Sequence, residues 1–349
     1  MAAETGERFV AVRRGGDGRI TPATQHSEYA APAGRALPEF GELAPLLADP
    51  DVTDVFVNGT DGLWLDRGDG LERLPGFLHD ESEIRGLAVR LIALGGRHID
   101  EATPCVDVRL HDGIRIHAVL PPISPQGTLL SIRLPRLGRF SVEDLDTAGF
   151  FDVVDVGSVL DLVSARANIL IAGAAGSGKT TLLSALLAAS PQTDRIIAIE
   201  DVAELRVVHP HFVSLEARQA NLEGAGELGL SRLVREALRM RPDRLVLGEC
   251  RGAEVRDLFS ALNTGHDGGA GTLHANSLAD VPARLEALGA LAGLGVAAVA
   301  RQAVSAFDAV LYVERSRGTR RLAQLGQLEV TATGRLTAVS RDPTAALNA

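Results

Sequence analysis

Apolar and polar residues alternate through the first part of the chain, and unbroken apolar runs take over later. From Phe40 the pattern is globular. Residues 52–58 (VTDVFVN) and 62–66 (GLWLD) read as strands, with Asn58-Gly59 as a turn signal between them. Residues 81–94 place Ile84, Leu87, Ala88, Leu91 and Ile92 at helical spacing. Further strands are predicted at 106–110, 114–120 and 129–134, and His111-Asp112-Gly113 reads as the hairpin turn joining the first two. Beyond these lie four short apolar runs, at 169–172, 196–199, 245–247 and 270–273. The first three are continuous, as strands buried on both faces of a sheet must be. Helical segments such as 180–189 and 231–240 fall between the runs. Strand and helix in alternation predict an α/β fold with a mostly parallel sheet.

The change of pattern predicts four segments: a tail over 1–37, a smaller α+β domain over 38–135, a linker over 136–144 and the α/β domain over 145–345. The length of 349 residues agrees with two domains at roughly 150 residues each. The longest weakly apolar stretch, 289–300, is too short to cross a bilayer. Glu4 and Glu7 without an apolar run predict no signal peptide.

Composition changes this picture in two places. A net charge of −10 and an aromatic content of 4% speak against a protein that grips nucleic acid directly. Of the 35 basic residues, Lys179 is the one lysine and the other 34 are Arg. A single Lys in an Arg-rich chain marks a position that needs a compact point charge rather than a planar fork. Cys105 and Cys250 are too few and too far apart for a disulfide framework, and they fit a reducing compartment.

Lys179 lies in Gly173-Ala174-Ala175-Gly176-Ser177-Gly178-Lys179-Thr180, which fits G-x-x-x-x-G-K-[ST] between an apolar strand and a Leu/Ala-rich helix that opens with Thr180 and Thr181. Such a loop turns backbone N–H groups onto phosphates at a helix N-terminus. Lys179 would bridge the β- and γ-phosphates of ATP, and Thr180 would place its hydroxyl on Mg²⁺. Ligands of open α/β sheets bind at the carboxyl ends of the strands. Here the apolar runs end in Glu200-Asp201 with Glu204 beyond, in Gly248-Glu249, and in His274. Glu249 is the candidate to polarise the attacking water or hold it through Mg²⁺, and Glu204 is a second carboxylate for either role. Asp201 is a further candidate metal ligand, and His274 could donate to the γ-phosphate. His266 could instead cap a helix, and His209 and His211, flanking Pro210, have no metal-ligand spacing.

Four ordered motifs, GAAGSGKT (173–180), IAIEDVAEL (197–205), RPDRLVLGECRG (241–252) and TGHDGGAGTLHANS (264–277), resemble the Walker A, Asp, Walker B and His boxes of the type II/type IV secretion ATPases. The wording of the last two is similar to the Tad (tight adherence, Flp) pilus-assembly branch. The resemblance implies a RecA-like C-terminal domain and a hexameric ring with ATP between the two domains. It implies Glu249 and Glu204 as catalytic carboxylates and His274 as the His-box histidine. It also implies arginines from the N-terminal domain at the γ-phosphate, matching Arg115 (IRIHAVLPP) and Arg133 (LLSIRLP). The implied location is cytoplasmic, at the inner face of the cell membrane, with inner-membrane pilus or secretion platform proteins as partners and no direct nucleic acid. The tetracysteine module of some relatives is absent. A conjugation-type or nucleic-acid translocase on the same core, and a nucleotide-gated switch, are the competing readings. Arg315, Arg317, Arg320 and Arg321 form the one basic concentration, read as a solvated hairpin around 316–319 or a face for a membrane partner or lipid headgroups.

Overall fold

The computed structural model describes residues 37–341, except 69, 75–79, 111–112, 136–139, 219–225 and 317. The tail expected before residue 37, the start of the linker, Arg317 and most of the turn at 111–113 lie outside these residues.

A short helix α1 (Ala44–Leu47) leads into an antiparallel sheet of six strands: β1 (Asp54–Asn58), β2 (Leu63–Asp66), β3 (Leu71–Leu74), β4 (Cys105–Arg109), β5 (Arg115–Val119) and β6 (Leu129–Arg133). Their spatial order is β3-β2-β1-β6-β5-β4. Helix α2 (Glu81–Leu94) covers one face and spans the residues its spacing predicts. Asp80 caps it by accepting the Glu83 N–H at 2.9 Å. Ile84, Ala88, Leu91 and Ile92 of α2 share a core with Val55, Val57, Ile116, Leu130 and Ile132. Strand alternation then decides where the arginines go. Ile116 and Ala118 point inward, so Arg115 must point out, and the register sets it opposite Arg133 of β6. Strand β3 escaped the sequence reading because it is an edge strand without an inward face, and Leu71 is largely exposed.

The expected linker is partly helical. Val142–Thr147 forms α3, closed by a reciprocal capping box between Ser141 and Asp144, and α4 (Val156–Ser164) follows. The second sheet contains β7 (Ile169–Gly173), β8 (Ile196–Glu200), β9 (Phe212–Glu216), β10 (Arg244–Cys250), β11 (Ala270–His274), β12 (Ala309–Ser316), β13 (Thr319–Val330) and β14 (Leu336–Ser340). Between them run α5 (Lys179–Ala188), α6 (Leu230–Ala237), α7 (Val255–Leu262), α8 (Val281–Leu291) and α9 (Val296–Ala306). The order is β14-β13-β12-β7-β11-β10-β8-β9. The pairs from β12 to β9 are parallel, and β13 and β14 add antiparallel at one edge. The half-exposed β9 and the long, largely polar β13 carry little apolar signal, which is why sequence patterning did not assign them. Separate apolar clusters cover the two faces of the central strands. β7, β11, β10 and β8 are successive neighbours, so the residues at their carboxyl ends share one edge.

Candidate active site

The phosphate-type loop begins at β7, whose five residues are all buried. Gly173 closes the strand where there is no room for a side chain: a Cβ would lie 2.3 Å from the Val313 carbonyl oxygen and 2.7 Å from Ser177 Oγ. Gly176 (φ +69) and Gly178 (φ +107) take left-handed conformations that turn the chain into α5. Ala174, Ala175 and Gly176 are exposed at the crown, while Thr180 and Thr181 are half-buried on the first turn of α5. Ser177 is fully buried, and its Oγ has no hydrogen-bond partner. Lys179 is buried, with Nζ donating to the carbonyls of Gly173 (3.0 Å) and Ala174 (2.9 Å). Burial lowers its pKa, against the pull of Glu249 and Glu204.

His274, at the end of β11, is in register with Gly173 of β7. Its Nε2 lies 2.8 Å from Glu249 Oε1, and its Nδ1 lies 3.5 Å from Lys179 Nζ. An ammonium only donates, so Nδ1 accepts, and Nε2 carries the proton toward Glu249. Burial, followed by the nearby Lys179 charge, depresses the His274 pKa, while Glu249 pulls the other way. At neutral pH the imidazole is therefore uncharged between a cation and a carboxylate. Glu249 stands where the β10–β11 register shifts between Leu247 and Cys250. The preceding Gly248 accepts the Thr272 hydroxyl at 2.5 Å, and a Cβ there would meet Glu200 Cγ at 2.6 Å.

Glu200, the last residue of β8, organises the loop that bears Glu204. Its Oε1 accepts the backbone N–H groups of Glu204 (2.8 Å) and Leu205 (3.0 Å), while Oε2 is buried without a partner. Burial pushes its pKa up to about 7, against those two hydrogen bonds. From the first sheet, Arg115 Nη2 reaches Glu204 Oε1 at 2.5 Å. Arg109 donates to the Ala203 carbonyl at 2.9 Å and also pairs with Glu216. Arg133 does not join them, because its Nε is held by Asp54 at 3.0 Å. Asp201 pairs with Arg251.

The Glu200 shift has a stability consequence with a definite sign. A carboxyl group raised in the folded state binds more protons there than in the unfolded chain, so stability falls as pH rises from about 4.5 to about 7. The loss is on the order of 3 kcal/mol. Glu200→Gln keeps the acceptor oxygen and removes the titration. Its melting temperature relative to the parent should rise steadily between pH 5 and pH 8. A constant difference over that range would contradict the assignment.

Residues 37–315 match the family described as type II/IV secretion system protein. The chain belongs to that family. A Mycobacterium tuberculosis protein provisionally named a conjugal transfer protein is 50% identical over 307 residues, covering 86% of this chain and 87% of that one. The type IV secretion system protein VirB11 of Brucella suis is 32% identical over 260 residues, covering 67% and 72%. Among solved structures, the pilus retraction motor PilT with bound ADP aligns with a TM-score of 0.57 at 19% identity, covering 86% and 81%. The DotB ATPase of Yersinia pseudotuberculosis aligns at 0.54 and 17% identity, covering 90% and 81%. These two likenesses bear on the fold alone. They agree with the α/β architecture and its smaller N-terminal sheet.

A secretion ATPase of this family uses a nucleotide and, as a rule, Mg²⁺, and the local chemistry fits both. Flexible glycines, a buried hydroxyl without a partner and a buried ammonium make a cradle for phosphate oxygens. Among the described residues, no group of three or more His, Cys, Asp or Glu could hold a metal ion by itself. His266, His209 and His211 have structural partners. His266 Nδ1 faces the Ala261 carbonyl at the end of α7 (3.2 Å), and His209 Nε2 faces the Pro191 carbonyl (3.0 Å). The ring of His211 contacts Arg195. Cys105 is exposed and Cys250 is buried, its thiol pushed well up by burial. Among the described residues, no single helix is long and apolar enough to cross a membrane.

Sequence reading assigned no role to Glu200 or Arg109. Glu200 was noted at the end of its apolar run, but nothing in the sequence shows that it is buried and holds the Glu204 backbone. Arg109 could not have been found, because one strand arginine among 34 carries no signal of a contact 94 residues away.

Proposed function

We propose that this family member is a Mg²⁺-dependent ATP-hydrolysing motor, working as a closed ring of six copies. Its lobes are residues 38–135 and 145–345. It drives a Tad/Flp-type pilus-assembly or type II/IV secretion machine from the cytoplasmic face of the inner membrane, through platform proteins embedded there. The observation that carries this reading is the convergence of Lys179, His274 and Glu249 at one sheet edge, with Arg115 reaching Glu204 from the other sheet.

That geometry supports the following roles. Residues 173–178 present backbone N–H groups to the phosphates, and Lys179 exchanges its carbonyl partners for phosphate oxygens. Glu249, only half-buried, accepts a proton from the attacking water, and His274 orients it through Nε2–H. Thr180, Glu249 and Asp201 are the proposed metal ligands; bound Mg²⁺ would offset phosphate charge. Arg115, released from Glu204, would stabilise charge on the transferring phosphoryl group, with Arg133 as a second cation once free of Asp54.

A second reading, a motor of conjugation machinery, is favoured by the names of relatives that include conjugal transfer proteins. It differs in cargo and not in chemistry. The net charge of −10 still argues for protein partners over direct nucleic-acid contact.

The test is Mg²⁺-dependent ATP hydrolysis measured across protein concentration, with mass photometry on the same samples. A specific activity that rises with concentration as rings form, and that falls to background in Lys179→Ala, is the expected result. Full activity in a species that stays monomeric would overturn the ring. Tight ATP binding without turnover in assembled rings, with platform proteins added, would favour a nucleotide-gated switch.

A further inference from the structure

Arg315 and Arg321 are exposed, as a solvated hairpin requires, but Arg315, Arg320 and Arg321 each also hold a specific partner. β12 and β13 form a hairpin in which Ser316 pairs with Thr319, Arg315 with Arg320 and Glu314 with Arg321. Arg321 is neutralised by Glu314, Nε to Oε1 at 2.8 Å. Arg315 and Arg320 are like charges directly opposite each other, an arrangement that destabilises an antiparallel pair unless something else holds it. Each guanidinium has its own partner. Arg320 Nε donates to the carbonyl of Gly176, in the phosphate loop, at 3.0 Å. Arg315 Nη2 donates to the carbonyl of Gly68, just after β2 of the first sheet, at 2.6 Å.

We propose that this hairpin is a strut coupling the phosphate loop to the N-terminal sheet, with Arg320 and Arg315 as its two positioning residues. The inference rests on the nucleotide-binding reading above and adds the device by which the two lobes sense each other. Its base is fixed, because Leu322 is fully buried and its N–H donates to the Phe150 carbonyl at 2.8 Å. Its near side presses on the loop: a Cβ on Gly178 would lie 3.3 Å from Arg320 Cδ and 3.7 Å from Phe150 Cε2.

The effect on the loop follows from peptide geometry. In a trans peptide the carbonyl and the next N–H point to opposite sides. By holding the Gly176 carbonyl outward, Arg320 turns the Ser177 N–H toward the inside of the loop, where it donates to the Ala174 carbonyl at 3.3 Å and where a phosphate oxygen would take that bond over. A loop arranged beforehand binds its ligand at lower ordering cost. Arg315 contributes to that arrangement from the other strand, because its hold on Gly68 fixes the hairpin tip against the N-terminal sheet. Linkage requires the converse: a nucleotide that favours the arranged loop also favours the Arg315–Gly68 contact.

The test uses the full chain and fluorescent N-methylanthraniloyl-ADP with Mg²⁺. Arg320→Gln should bind it about fivefold more weakly, and Arg315→Gln about threefold, although Arg315 touches the other lobe. The double variant should resemble Arg320→Gln alone rather than the product of the two, and Arg315→Lys should recover most of the loss. ADP should also slow amide exchange at 63–68 in the parent and not in Arg320→Gln. Because Arg315 is exposed, all variants should melt near the parent temperature. An unchanged affinity in Arg315→Gln, multiplicative effects in the double variant, or equal protection of 63–68 in Arg320→Gln would each overturn the strut while leaving the nucleotide reading intact. A parent chain that fails to bind the probe would overturn both.

Discussion

Glu249→Gln is expected to lower ATP turnover by on the order of a thousandfold while nucleotide stays bound. The Gln side chain has the same length, and its carbonyl oxygen can still accept the Nε2–H of His274 across the 2.8 Å now bridged by Oε1. The register shift of β10 and the contact of Gly248 with Glu200 are untouched, so the strand end keeps its place. What disappears is the negative charge and its capacity to take a proton. Lys179 loses one of the two carboxylates that favour its charged form and keeps Glu204. Binding should therefore persist, and single-turnover kinetics should show ATP held and not cleaved. Turnover within fivefold of the parent would remove Glu249 from the proton-accepting role and pass it to Glu204. The corresponding Glu204→Gln should disturb the cross-lobe contact with Arg115 as well as turnover.

How much of this was legible beforehand depended on whether the information was local. The phosphate loop is a contiguous string, and the lone lysine within it marks itself against an arginine background. The strand ends at Glu249 and His274 were legible for the same reason: buried strands leave continuous apolar runs, and the polar residues that follow each run stand at the carboxyl edge of the sheet. Helix α2 was legible to the residue because one face is buried and Asp80 caps it. Edge strands β3 and β9 were not, since a strand with no fully buried face has no reason to alternate cleanly, and β13, though paired on both sides, buries only a few widely spaced residues. The arginines failed for a different reason. Alternation puts Arg115 and Arg133 side by side on one face of the first sheet, but only the three-dimensional register shows that one meets Glu204 and the other Asp54. The same holds for Arg315 and Arg320, whose sequence context reads as a solvated turn and whose partners lie on two other segments.

Asp194→Ala should cost about 3–5 kcal/mol, the largest stability loss expected from a side chain outside the site. Asp194 and Arg244 are both nearly fully buried, with Arg244 Nε 2.7 Å from Asp194 Oδ2. Arg166 Nη1 adds a second cation, 3.2 Å from Oδ1. Removing the carboxylate would leave the Arg244 guanidinium buried without a counter-ion at its Nε, its Nη2 still donating to the Val163 carbonyl at 2.9 Å. A buried charge without its counter-ion is costly because the interior cannot replace the water it lost. The melting temperature should drop by on the order of 10 °C. Arg244→Met in the same chain should restore most of that loss, since it removes the stranded charge and fills similar volume. Arg244 opens β10, and Glu249 lies near the strand's other end, so turnover per folded molecule at low temperature should be unchanged. A drop of under 1 kcal/mol in Asp194→Ala would mean that water reaches Arg244. A double variant no more stable than the single would mean that Asp194 acts through Arg166 and the backbone around Asp243 instead.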